Sequence, residues 1–125
     1  MDLLQADIRR LPFADETFSH VVSVSVLEHL RDLVMTFREL RRVTRPGGWL
    51  IVGVPVKNWI TRMLFAAVGY DDETIHPSSH RDVLEAAAPY WALRRKAVLP
   101  VGVPLDIALY MTVQYQARVE GPDGR

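Results

Sequence analysis

The 125-residue chain contains no cysteine. That excludes a disulfide framework and thiol chemistry, and it agrees with a reducing, cytoplasmic setting. Net charge is also missing, because fifteen basic side chains balance fifteen acidic ones. Without a strong field of one sign, a nucleic-acid partner is not expected. No apolar run approaches the roughly 18 residues of a membrane-spanning helix, and no secretory leader is expected. Internal repeats and low-complexity linkers are absent. None of the seven glycines precedes Gly47, so the first third of the chain has no Gly-rich phosphate or cofactor turn. His76 lies close to Asp71, Asp72 and Glu73, but the spacing matches no standard ligand set, and no metal is expected.

What is present centres on residues 18–55. Ser19 to Val26 is a β-branched run too apolar for a half-exposed edge, and it reads as a buried strand. Asp32 is placed to cap a helix with Leu33, Phe37, Leu40 and Val43 on one face. Pro46 ends that helix, and Gly47-Gly48 supply a reversal. Trp49 to Val54 is a second buried strand. Two such strands joined by one amphipathic helix predict a βαβ unit in a parallel sheet. A second helix is expected at about 58–68, its apolar stripe (Trp59, Ile60, Met63, Leu64, Ala67, Val68) facing the core. Ser79-His80-Arg81-Asp82 reads as a capping box opening a third helix, with His80 structural. Ala92–Leu99 and Ile107–Arg118 read as a loosely joined hairpin across Pro100, Gly102 and Pro104. One domain over residues 1–118 with a loose tail at 119–125 accounts for the whole chain.

Several of these elements occur together in a known order. Leu11-Pro12-Phe13, Thr17-Phe18, Val26-Leu27-Glu28-His29-Leu30, Arg38-Glu39 and Arg45-Pro46-Gly47-Gly48 resemble the class I S-adenosylmethionine-dependent methyltransferases, nearest the small-molecule, ubiquinone-pathway-like branch. The resemblance covers about residues 2–56. Ser19 departs from it, since an aspartate is usual there. It implies an α/β, Rossmann-like fold truncated at the N-terminus, with parallel strands plus a C-terminal antiparallel hairpin. It also implies S-adenosyl-L-methionine as cofactor and a small-molecule acceptor.

Carried onto this sequence, the resemblance places Leu3–Ala6 in a short strand ending at Asp7. The Asp7 carboxylate then accepts from the adenine amino group, and the Ile8 N–H faces an adenine ring nitrogen. The backbone of Ser25 and Val26 touches the methionine part. His29 and His76 are acceptor-side candidates; against this, Glu28 and His29 can simply orient the next loop, and Val26 can be strand core. No catalytic residue is identified. Arg38, Arg41, Arg42 and Arg45 read as a solvated helix face.

The Gly-rich turn and the ribose-binding acid of that family have no counterpart here. Their absence leaves a gap beside Ser19–Val26, to be filled by residues 2–7, left open, or closed by a homodimer through the exposed sheet edge. Two functions stay in view, methyl transfer to a small molecule and a non-catalytic module that kept the fold without the cofactor site. A nicotinamide dehydrogenase is disfavoured for want of a dinucleotide fingerprint.

Overall fold

The computed structural model describes residues 1–70 and 77–119. Four strands form one sheet: β1 (Phe18–Val24), β2 (Thr44–Pro55), β3 (Trp91–Leu99) and β4 (Tyr110–Ala117), in the order β1-β2-β4-β3. β1 and β2 are parallel, whereas β4 runs antiparallel to both β2 and β3. The βαβ unit and the closing hairpin are therefore as the sequence predicts. The second hairpin strand is shorter than expected, because Leu105–Ile107 winds into a 3-10 turn instead.

α1 (Leu33–Val43) starts where Asp32 accepts from the Met35 N–H, and it packs on α3 (His80–Ala87). α3 opens with the expected capping box between Ser79 and Asp82. One core joins Phe37 and Leu40 of α1, Val83 of α3, Leu50, Val52 and Val54 of β2, and Met111, Val113 and Tyr115 of β4. Strand alternation puts these residues on one face of the sheet. Trp91 closes the core, its indole N–H donating to the Phe37 carbonyl at 3.3 Å.

The opposite face has no helix over it among the described residues. Val22 and Val24 of β1 are 63% and 57% exposed, and Ile51 beside Val22 is also open. β1 is thus an edge strand, contrary to its apolar composition. Leu3–Ala6 forms no strand, and Leu3 and Leu4 are exposed. Among the described residues nothing fills the place beside β1, since this segment does not reach it.

α2 (Trp59–Ala67) corrects a second expectation. Its stripe is not core: Trp59 and Met63 are 62% and 64% exposed, and only Thr61 is buried. Helical periodicity reports that one face is apolar but not what covers it. Asn58 does the anchoring. It caps α2, and its amide donates to the Ala108 carbonyl at 2.6 Å.

Arg38 is on the exposed face, as expected, but Arg41 and Arg42 of α1, and Arg45 beyond it, are fasteners. Arg42 donates to Glu39 (2.6 and 2.9 Å), to Asp15 (2.8 Å) and to the carbonyls of Phe13 and Leu11. Glu39 in turn accepts from the Leu11 N–H at 2.8 Å. Arg41 bonds the carbonyls of Thr44 and Arg118, and Arg45 that of Glu16. The Leu11-Pro12-Phe13 loop is clamped to α1 by side chains about 30 residues away.

Buried His80 and half-buried Glu39 make the fold acid-sensitive. His80 is buried, and its Nδ1 accepts from the Lys57 N–H at 3.2 Å. Burial, helped by Arg81 and Lys96 and opposed by Asp82, holds its pKa below 6.5. The unfolded chain therefore takes up this proton first, and stability falls as pH drops from about 6.5 to the folded-state value. Arg42 holds the Glu39 carboxyl below 4.5. Its contribution is present above that value and is lost as pH falls through the folded-state pKa. Thermal unfolding followed by circular dichroism is expected to show two acid steps, with His80→Gln removing only the upper one. A single step below about pH 4.5 in the unaltered chain contradicts the role given to His80.

Candidate functional site

Parallel pairing brings the carboxyl tips of β1 and β2 together, and such tips are where ligands sit in open α/β sheets. β1 ends at Val24, and the Ser25 N–H still donates to the Gly53 carbonyl of β2 at 2.9 Å. Ser25 itself turns sharply, with φ at +54°. A serine there carries about 1–2 kcal/mol of backbone strain. Ser25 and Val26 thus leave the sheet instead of extending it, and Val26 is partly exposed rather than strand core. The turn feeds directly into a 3-10 turn at Leu27–His29.

Tyr110 completes this corner from β4. Its ring lies over Gly53, where a Cβ would come within 2.7 Å of the phenol oxygen. That oxygen lies 2.9 Å from Ser25 Oγ. Three neighbouring strands therefore meet at one pair of hydroxyls. Sequence reading passed over Tyr110. The available signal was Gly53, a glycine inside an apolar strand, which marks a close approach by another group.

Glu28 and His29 occupy the 3-10 turn. The Glu28 carboxyl is buried, with Oε2 lacking a hydrogen-bond partner among the described residues. The His29 ring is more open, its Nε2 3.8 Å from Glu28 Oε1. The Ser78 N–H donates to the Glu28 carbonyl, and Ser78 Oγ to that of Leu30. These bonds tie the turn to the start of α3. His76 lies outside the described residues.

On the other side of β1, Ile8 and Val26 line one groove of about 550 Å³, with Leu11, Phe13, Val22 and Val24 along its walls. Asp7 is exposed beside it. Both its oxygens accept from the Arg9 guanidinium, at 2.8 and 3.1 Å, and Oδ1 also takes the Arg9 N–H at 2.9 Å. Arg9 holds the Asp7 pKa down at about 2, so the group is an ionised acceptor at any physiological pH. The fold brings Ile8, Ser25 and Val26 to one strand tip, with His29 one turn beyond. No group of side chains suited to a metal ion occurs among the described residues. None of the described helices is long and apolar enough to cross a membrane.

Residues 1–52 match the family model described as "Methyltransferase domain". Methyltransferase GfsG of Streptomyces halstedii is 32% identical over 118 residues, which is 94% of this chain and 39% of that protein. The demethylmenaquinone methyltransferase of Streptomyces griseus is 42% identical over 52 residues, 42% of this chain and 23% of that one. The chain thus spans well under half the length of these curated relatives. The crystal structure of a SAM-dependent methyltransferase from Methanosarcina mazei superposes with a TM-score of 0.70 at 17% identity, over 92% of this chain and 66% of that one. The first 52 residues thus match a methyltransferase domain, and over nine tenths of its length the chain shares the fold of a solved S-adenosylmethionine-dependent methyltransferase.

Proposed function

We propose that the chain serves S-adenosylmethionine-dependent methyl transfer to a small-molecule acceptor. The observation that carries this reading is the joined pair of parallel strand tips, Val24–Ser25 against Gly53. The cofactor fits the residues present. Asp7 is a permanent hydrogen-bond acceptor for an amino group, Ile8 offers apolar surface beside it for an adenine face, and Ser25 and Val26 turn the backbone out of the sheet at the tip. We assign Asp7 and Ile8 to the adenine end, and Ser25 and Val26 to the methionine end. The cofactor supplies a methyl group on a cationic sulfur, already an activated leaving group. What the protein adds is chiefly placement of the acceptor. His29, half exposed beside the tip, is the acceptor-side candidate, together with His76. The apolar groove walls favour a partly apolar acceptor.

The same reading makes residues 1–118 one partial methyltransferase domain with a tail at 119–125, places it in the cytoplasm, and pairs two copies through β1. Support for that pairing is the open edge of β1 with exposed Val22 and Val24. Calorimetric titration with S-adenosylhomocysteine tests the central claim. A dissociation constant in the micromolar range is expected. Silence at millimolar ligand overturns it.

A further inference from the structure

We infer that Tyr110 is a positioning residue, and that its phenol holds Ser25 in the left-handed conformation that aims the β1 tip at its ligand. Three observations converge. Ser25 is a non-glycine residue at φ +54°. Strained residues of this kind persist only where the surroundings over-determine them. Two bonds fix Ser25 from two different strands: its N–H to the Gly53 carbonyl at 2.9 Å and its hydroxyl to the Tyr110 hydroxyl at 2.9 Å. Space for the second bond exists because residue 53 is glycine, since any Cβ would collide with the Tyr110 ring and oxygen at 2.7–3.2 Å.

The first bond anchors the backbone nitrogen but leaves ψ and the side chain free to relax. The second fixes the side chain and so selects the turn. Downstream, the direction taken at Ser25 sets where Val26 emerges and where the Leu27–His29 turn begins. Tyr110 thereby acts on the strand tip from β4, through Ser25 and without needing to touch a ligand itself. Only the ligand arm of the test rests on the methyltransferase reading.

The test uses the full chain with Tyr110→Phe, Ser25→Ala, Ser25→Gly and the double variant Tyr110→Phe/Ser25→Gly. Tyr110→Phe keeps the ring over Gly53 and deletes one hydroxyl. Ser25→Ala deletes the same bond from the other side, so that a folding failure of either variant leaves the other to decide. The backbone amide resonances of residues 25–29 are expected to move in both. Affinity for S-adenosylhomocysteine is expected to fall about five- to tenfold, the range for one net hydrogen bond. Adding Ser25→Gly to Tyr110→Phe is expected to return both readouts most of the way, because glycine adopts positive φ without a clamp. Mere packing by Tyr110 would show no such rescue. Unmoved amides at residues 25–29, or a loss that glycine fails to repair, overturns the inference. Amides that move and recover as described in a chain that ignores S-adenosylhomocysteine would uphold the role of Tyr110 and strike the cofactor assignment alone.

Discussion

Replacing Gly48 by alanine is expected to lower the unfolding temperature by about 10 °C, more than twice the effect of the same change at Gly47. The two glycines are adjacent and answer different constraints. Gly47 sits at φ +75° with nothing within 4 Å of a new Cβ. Alanine there meets only backbone strain of about 1 kcal/mol. At Gly48 the new Cβ would stand 2.7 Å from Thr44 Cγ2, 2.8 Å from the Ser19 carbonyl oxygen and 2.9 Å from the Arg45 carbonyl oxygen. Two of the three are backbone atoms that cannot rotate away. Ser19 belongs to β1, so the collision pushes β1 off β2 where the pairing jumps from Phe18–Thr44 to His20–Trp49. Circular-dichroism melts of the two variants against the parent decide the matter. Equal small shifts would mean that Gly48 is conserving only chain flexibility and that the close contact is relieved at no expense.

The same pair of residues shows how far the sequence could be read. A proline followed by two glycines after an amphipathic helix announces a reversal; instead α1 already ends at Val43, and Pro46-Gly47-Gly48 lie inside β2 as an irregularity in its pairing with β1. That one glycine serves a dihedral angle and the other a collision is a property of β1, brought in from about 30 residues away. Parallel pairing of β1 with β2 was legible because both are apolar and only one helix separates them. Periodicity also showed the closing hairpin and the caps of α1 and α3. The exposed stripe of α2 was not legible, since an apolar face looks the same in sequence whether or not something packs on it. The edge position of β1 was foreseen only from the missing strand beside it, since its own valines read as doubly buried. Within the candidate site, Ser25 and Val26 were singled out through resemblance, and the fold puts them at the β1 tip. Tyr110 was not, because its meeting with Ser25 spans 85 residues and depends on the order β1-β2-β4. The Arg42–Glu39 clamp was missed for the same reason: its partners, Leu11, Phe13 and Asp15, are neighbours only after α1 has packed.

If two copies pair through β1 as proposed, lysines at positions 22 and 24 together are expected to abolish that pairing while leaving the monomer folded. Among the described residues, nothing pairs with the outer edge of β1. That edge carries none of the usual safeguards: no lysine, no proline and no inward charge in Phe18–Val24. Its single irregularity, between Phe18 and His20, lies in the pairing with β2. An unguarded apolar edge pairs with another strand. A second copy can supply one by a twofold axis, which sets β1 antiparallel to its own image and joins the two sheets into one. With the axis at Ser23, Val22 of each copy lies opposite Val24 of the other. Lysines there bring like charges together in a partly desolvated seam, and the association constant is expected to fall at least about a hundredfold. Both positions are open to solvent in the monomer, so the unfolding temperature should move by no more than about 2 °C. Sedimentation velocity over a range of concentrations separates the cases. Val22→Ser with Val24→Ser should weaken pairing less than the lysines do, since it removes apolar area without adding charge. A parent chain that sediments as a monomer at every concentration would remove the dimer and leave β1 an edge that this protein keeps open.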